Sequence, residues 1–297
     1  MSGGLRWGVE PICETLEIAP STYYDAKTRP LSARAERDAR LRPQLRAIWE
    51  RNYSVYGRRK LTKAVRKAGL DVGRDQVARL MRAEGIRGAS RAKKRFTTHP
   101  DAAAVRAPDL VRRDFTASRP NEKWVADFTY CSTWSGIVYV AFIVDVYSRR
   151  IVGWKAARSM TAPLVVDALN MAAWTRRDVN IEGVICHSDA GAQYTSIAHT
   201  DRLADIDAAP SIGTVGDSFD NAMAESVIGL FKTELHRNPA VVARNGGHWR
   251  GLDDLEIATC GWVSWFNEER FHGELGDLTP AEVEDAYYRQ QPQPDAA

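Results

Sequence analysis

The 297-residue sequence predicts a mixed α/β sheet flanked by helices, preceded by an all-α region that contains a helix-turn-helix. Three observations carry that prediction. Residues 29–95 hold 21 Lys and Arg against 6 Asp and Glu, a net +15, while the remainder holds 20 against 32, a net −12. Within the basic stretch, apolar residues recur at helical steps of three and four. Beyond Lys123, three strand-like runs follow one another closely and then give way to alternating helices and short strands, the pattern of a sheet covered by helices.

Composition sets the outer limits. At 44% hydrophobic and 27% charged residues the chain is globular, with length for two or three compact units. No apolar run reaches the roughly eighteen residues of a membrane span, and residues 1–11 lack an apolar signal core. The expected location is therefore the cytoplasm, in association with the nucleoid. Cys13, Cys131, Cys186 and Cys260 stand far apart, which argues against a zinc ribbon or a disulfide framework; each is expected as a small buried hydrophobe.

Residues 11–20 read as a short helix, followed by a second helix capped by Ser21. Residues 33–51 form a basic amphipathic helix, with Leu41, Leu45, Ile48 and Trp49 directed to a core. Residues 58–68, with Leu61, Ala64 and Val65 on one face, turn through glycines into residues 74–84, with Val77, Leu80 and Met81. The second helix of this pair exposes Arg74, Gln76, Arg79 and Arg82, residue types that reach phosphates or guanine edges in a major groove. Arg87, Arg91, Lys93, Lys94 and Arg95 continue the basic surface. A merely solvated helical hairpin is the opposing interpretation; an imbalance sustained over so long a stretch favours nucleic acid as the partner.

Residues 99–121 carry three prolines and no sustained period, as a linker does. Strands are expected at residues 124–131, 137–146 and 151–156 as an antiparallel meander. A helix at 163–174, a strand at 184–187, a helix at 196–205, a strand at 209–212 and a helix at 221–236 follow. The expected division is a helical DNA-binding region 1–98, a linker 99–120, a catalytic core 121–245 and a C-terminal helical extension 246–297.

Three acids occupy places where solvation alone would not put them. Asp127 interrupts an apolar strand, Asp189 ends a strand at a glycine turn, and Glu225 lies one turn into a helix. Asp145, Asp217 and Asp220 are competing acids with simpler roles at a strand end and a helix start. A central-strand aspartate, a later strand-end aspartate and a helical glutamate can together hold two hard divalent ions about 4 Å apart for phosphoryl transfer. Magnesium suits such a set better than zinc, because neither cysteines nor paired histidines accompany it. His187, two residues before Asp189, is either a supporting contact or a satisfied structural histidine.

The runs Trp124-Val-Ala-Asp127-Phe-Thr-Tyr, His187-Ser-Asp189-Ala-Gly-Ala-Gln-Tyr-Thr-Ser and Asp220-Asn-Ala-Met-Ala-Glu225-Ser resemble the DDE integrase core of bacterial insertion-sequence transposases. The 35 residues between Asp189 and Glu225 match the retroviral-integrase branch. The ending from Trp262 to Pro280 is similar to that family's, and Tyr56-Gly-Arg-Arg with Arg79-Leu-Met-Arg82 resembles its helix-turn-helix. More narrowly, the chain resembles the second-frame protein of insertion sequences with two overlapping frames. Such a resemblance implies fusion to, or association with, an upstream-frame DNA-binding protein.

It also implies a ribonuclease-H-like fold and binding to double-stranded element ends and target DNA, with homo-oligomers in a synaptic complex. Asp127, Asp189 and Glu225 would be the metal-coordinating catalytic acids, with Mg2+ as cofactor and Mn2+ able to substitute. Lys232, seven residues beyond Glu225 and so on nearly the same helix face, matches the family's basic residue beside the active site. Ala190, Ala192 and Phe271 depart from residues common in the family, arginine, serine and proline respectively. The function implied is metal-dependent DNA cleavage and strand transfer; the alternative is a catalytically silent DNA-binding repressor of the element.

Overall fold

The computed structural model describes residues 8–90, 107–111, 114–213 and 221–291. It opens with two short helices, α1 (Val9–Thr15) and α2 (Pro20–Thr28). Ala19 takes the N-cap position of α2 and Pro20 its first helical position, so Ser21 lies inside the helix instead of capping it. Proline suits that place because its missing N–H is one the first turn leaves unpaired anyway. Helix α3 (Ala33–Arg51) is capped by Ser32, whose Oγ accepts from the Ala35 N–H at 3.2 Å. Helices α4 (Arg58–Lys67) and α5 (Arg74–Ala83) form the predicted pair. Their stripes, Leu61, Ala64 and Val65 on one and Val77, Leu80 and Met81 on the other, meet Leu45 and Ile48 of α3 in one buried cluster. Trp49 packs against the edge of this cluster, half-buried.

Strands β1 (Lys123–Thr133), β2 (Gly136–Asp145) and β3 (Ile151–Ala157) make the antiparallel meander. On the other side of β1, β4 (Ile185–Ser188) and β5 (Ala209–Ile212) add in parallel, giving the order β3-β2-β1-β4-β5. Parallel neighbours need long crossovers, and α6 (Ala162–Thr175) and α7 (Ile197–Asp205) supply them. The period of two along each strand sorts the side chains between two cores. Trp124, Ala126, Ala141, Ile143 and Val152 meet Leu164, Val165, Ala168 and Leu169 of α6. Gly153 permits that contact, since a Cβ there would stand 2.2 Å from the Ala168 carbonyl oxygen.

The opposite face, with Val125, Val140, Phe142 and Val144, receives α8 (Ala222–Phe231) and α10 (Leu252–Glu268). The helix expected at residues 221–236 is α-helical only as far as Phe231; a π-helical turn, Lys232–His236, follows. A buried ion pair fixes that turn, with the Arg270 guanidinium donating to both Glu234 carboxylate oxygens at 2.6 and 2.9 Å. Local periodicity carries no trace of a partner 36 residues away.

Helices α9 (Pro239–Arg244), α10 and α11 (Pro280–Gln290) complete the described chain. Trp262, Trp265 and Phe266 of α10 belong to the same apolar cluster as Leu61 and Leu80, so the sheet and the helical region share a continuous core. Cys13, Cys131 and Cys186 are buried thiols, but Cys260 is exposed on α10, contrary to expectation. Among the described residues no helix is long and apolar enough to cross a membrane.

Candidate active site

Strands β1 and β4 run parallel with Ala126 opposite Ser188. The next residues, Asp127 and Asp189, therefore stand side by side where β4 ends, and strand alternation sends Asp127 to the face of Val125, which α8 covers. Asn221 pins α8 there. Its Nδ2 donates to the Ala126 carbonyl at 3.0 Å instead of capping its own helix, and its carbonyl accepts the first helical bond, from Glu225 N, at 3.1 Å. Glu225 is thereby held one turn from the Ala126–Asp127 peptide. Sequence reasoning missed Asn221; its place immediately before the helix was the available signal.

Asp127 and Asp189 both feel the negative charge around them. Burial, then the charges of Asp189 and Glu225, push the Asp127 carboxyl well above its usual range, against the Phe128 N–H that donates to Oδ1 at 2.8 Å and the Lys232 ammonium. Asp189 is raised by burial and by Glu225, opposed by the Gly191 N–H 3.1 Å from its Oδ1, yet it keeps contact with solvent. A Cβ on Gly191 would lie 3.0 Å from that oxygen, so glycine keeps the turn from crowding the carboxylate. Lys232 is half-buried, with Nζ 4.7 Å from the centroid of Tyr130; burial lowers its pKa, and the charge of Asp127 works the other way.

Hard oxygen donors that repel one another fit a hard divalent cation such as magnesium. Among the described residues no three His, Cys, Asp or Glu side chains converge on one point at ligating distance; the like charges stay apart, and each aspartate bonds a backbone N–H.

On α5, Arg74 and Arg82 face solvent. Arg79 and Gln76 do not offer free groups as expected: Arg79 donates to both oxygens of Asp38 at 2.6 and 2.8 Å and Gln76 to one at 3.2 Å, which ties α5 to α3. Other cations of the basic region are likewise matched inside the fold, Arg42 and Arg46 by Glu84, Arg59 by Asp277 and Lys67 by Glu282. Arg91, Lys93, Lys94, Arg95, Asp217 and Asp220 lie outside the described residues.

An integrase core domain family matches residues 117–218, a second integrase core domain description matches residues 207–280, and an HTH-like domain matches residues 36–94. The protein of insertion sequence element IS986/IS6110 from Mycobacterium tuberculosis is 45% identical over 284 residues, covering 95% of this chain and 100% of its own. The transposase for insertion sequence element IS629 from Shigella sonnei is 45% identical over 289 residues, covering 95% of this chain and 93% of its own. The chain belongs to the insertion-sequence transposases.

Among solved structures, the simian T-cell lymphotropic virus intasome in complex with PP2A regulatory subunit B56 gamma is 14% identical with a TM-score of 0.51, over 82% of this chain and 75% of that one. The likeness supports the ribonuclease-H-like integrase fold seen in the sheet order. As a member of its family the transposase is a DDE-type polynucleotidyl transferase. Asp127 and Asp189 fall in the first integrase core match and Glu225 in the second. Asp145 has a structural part in this transposase, accepting from Asn121 N at 2.6 Å and Ser148 N at 2.8 Å to build the turn after β2. His187 is buried, with Nδ1 2.8 Å from Ser211 Oγ and its ring edge against Phe115.

Proposed function

We propose that Asp127, Asp189 and Glu225 are the catalytic acids of the transposase, and that together they hold divalent metal ions, magnesium or in its place manganese. The observation that carries this is the Ala126–Ser188 register together with the Asn221 clamp, which bring the middle of β1, the end of β4 and the start of α8 together. Bound there, such ions supply Lewis acidity toward a phosphodiester and a lowered pKa for an attacking water or 3′ hydroxyl. The chain's own residues do the rest. The acids would hold the ions in place, and Lys232, within electrostatic reach of Asp127, would neutralise the charge of the reacting phosphate. Arg74 and Arg82 on α5 grip the duplex at element ends, with Gln76 and Arg79 holding α5 in place to do so.

The reading extends to the architecture: residues 1–98 bind DNA, 121–245 cut and join it, and copies of the chain pair two ends in a synaptic complex. The upstream-frame protein, fused or associated, is the further partner expected, and the nucleoid the expected location. A silent repressor would bind DNA equally well, but it has no use for Asp127 and Asp189 set side by side, where burial and neighbouring negative charge push both carboxyls up.

The deciding experiment uses labelled DNA carrying the host element's own ends. Asp127→Asn, Asp189→Asn and Glu225→Gln should each lower metal-dependent cleavage and joining by about a thousandfold or more, with DNA binding within about twofold of wild type. Full activity in any of the three variants refutes the assignment, and an inactive wild type that still binds ends supports the repressor.

A further inference from the structure

Tryptophan is rarely left in water, yet Trp134 is 78% exposed at the tip of the β1–β2 hairpin. Its ring lies flat on His248, with centroids 3.6 Å apart and planes 7° from parallel. The backbone beneath is fixed: Trp134 N–H donates to the Trp249 carbonyl at 2.9 Å and Ser135 N–H to the Arg250 carbonyl at 3.0 Å. Trp249 is itself buried and donates its indole N–H to the His236 carbonyl at 2.9 Å. Gly251 lets this loop close on the hairpin, since a Cβ there would stand 2.6 Å from Ser135 Oγ. One face of the Trp134 indole thus rests on an imidazole and the other faces solvent, a platform for a further flat group.

A line of cations and rings leads to this platform from the acids. β4 pairs with β1 along Lys123–Ala126, and beyond Asp127 the π-helical turn takes up the same side of the strand. Lys232 sets its ammonium over the Tyr130 ring at 4.7 Å, and His236 Nε2 donates to the Ser132 carbonyl at 3.2 Å. Tyr130 is 55% exposed, and Arg237 and Arg250 face solvent. Asp254, which the Arg250 guanidinium approaches at 3.8 Å, is turned inward, its oxygens accepting from the Arg250 and Gly251 backbone N–H groups at 2.7 and 2.9 Å. Exposed rings interleaved with cations match a nucleic-acid strand, whose phosphates meet the charges while its bases meet the rings.

We propose that the Trp134–His248 stack is a DNA site that receives an unpaired base from the strand leading away from the catalytic acids, with Arg237 and Arg250 on its phosphates. The proposal rests on the catalytic reading given above for which stretch of strand is bound. Seven residues of β1 separate Asp127 from Trp134, about 23 Å at the usual strand rise. At about 3.4 Å per nucleotide, the base received lies within about seven nucleotides of the scissile phosphate.

The test is Trp134→Leu in the full chain, which keeps an apolar side chain and removes the stacking face; Trp134→Phe restores a smaller one. Labelled duplexes carry the host element's own end, either fully paired or unpaired over those nucleotides. Binding is measured with divalent ions chelated, so that no cleavage intervenes. Trp134→Leu should bind the unpaired form about tenfold more weakly than wild type and the paired form within about twofold, with Trp134→Phe retaining most of the affinity. An equal loss on both forms, or no loss on either, overturns the proposal. So does altered sedimentation of the DNA-free Trp134→Leu protein with both affinities intact, which would make the ring a contact between copies of the chain. If Asp127→Asn cleaves like wild type while Trp134→Leu shows the expected split, the assignment of the acids falls and the stacking site stands.

Discussion

His272 is enclosed between Phe266 and Arg270, and its partners fix its tautomer. Nε2 donates to the Phe266 carbonyl at 3.0 Å, and Nδ1 faces the Arg270 guanidinium at 3.4 Å, where only an acceptor is tolerated. Burial, then the charge of Arg270, push its pKa down to about 3. The unfolded chain binds a proton near the ordinary value of about 6.5 and the folded chain does not. The contribution of this residue to stability is therefore complete above that value and is lost as pH falls from about 6.5 toward 3. His272→Gln keeps a donor and an acceptor but does not titrate, so its denaturant midpoint should fall less than that of wild type between pH 7 and pH 4. Parallel declines would mean that the imidazole takes up its proton in the fold as readily as in the unfolded chain. At this scale the sequence was legible where a residue broke a pattern: Asp127 in an apolar strand, Asp189 at a glycine turn and Glu225 in an apolar helix stood out locally. Asn221 did not, because what matters about it is a contact with β1, and it does not disturb the periodicity around it.

Helix α5 shows how a correct element can carry an incorrect surface. Its limits and its buried stripe, Val77, Leu80 and Met81, follow from spacing, since apolar residues three and four apart must share a face. Which polar residues remain free depends on what α3 presents to them, and Asp38 lies opposite Gln76 and Arg79. Arg74 and Arg82 should accordingly carry the DNA contacts. Replacing either by alanine should reduce the slope of log affinity against log salt by about 1 and leave folding unchanged. Arg79→Ala should instead destabilise the protein by about 1–3 kcal/mol, because it strips a part-buried carboxylate of its cation. Salt titrations and denaturant unfolding of the three variants separate the two roles, and a salt-slope change at Arg79 without loss of stability would return it to the DNA surface. The π-helical turn after α8 escaped prediction for the same reason as the Asp38 contact: the Glu234–Arg270 pair that shapes it is long-range.

At the scale of the whole molecule, the helix-turn-helix region is tied into the rest of the fold. Trp265 of α10 packs on Tyr53 and Tyr56, with ring centroids 4.8 and 6.1 Å apart, and donates to Asn52 at 3.2 Å. Phe271 stacks on Tyr56 at 5.8 Å and donates its N–H to the Tyr56 hydroxyl at 3.0 Å. Asn238, just past the π-helical turn, donates to the Tyr53 carbonyl at 2.6 Å, and Arg59 and Lys67 of α4 pair with Asp277 and Glu282 near the C-terminal end. Removal of one anchor should therefore be felt on both sides. Trp265→Ala deletes a side chain that is 4% exposed at the centre of this junction, a loss of about 3–5 kcal/mol. If the core is continuous, that loss lowers hydrogen-exchange protection in α4 and α5 together with that in α10 and β3, and the chain still unfolds in one transition. If α3–α5 were an independent unit joined only by a linker, α4 and α5 would keep their wild-type protection and a second transition would separate from the first. The shared core also places a physical limit on the DNA-binding region: the stability of α5 depends on the sheet that carries the acids, so a lesion in α10 should weaken end binding as well as cleavage.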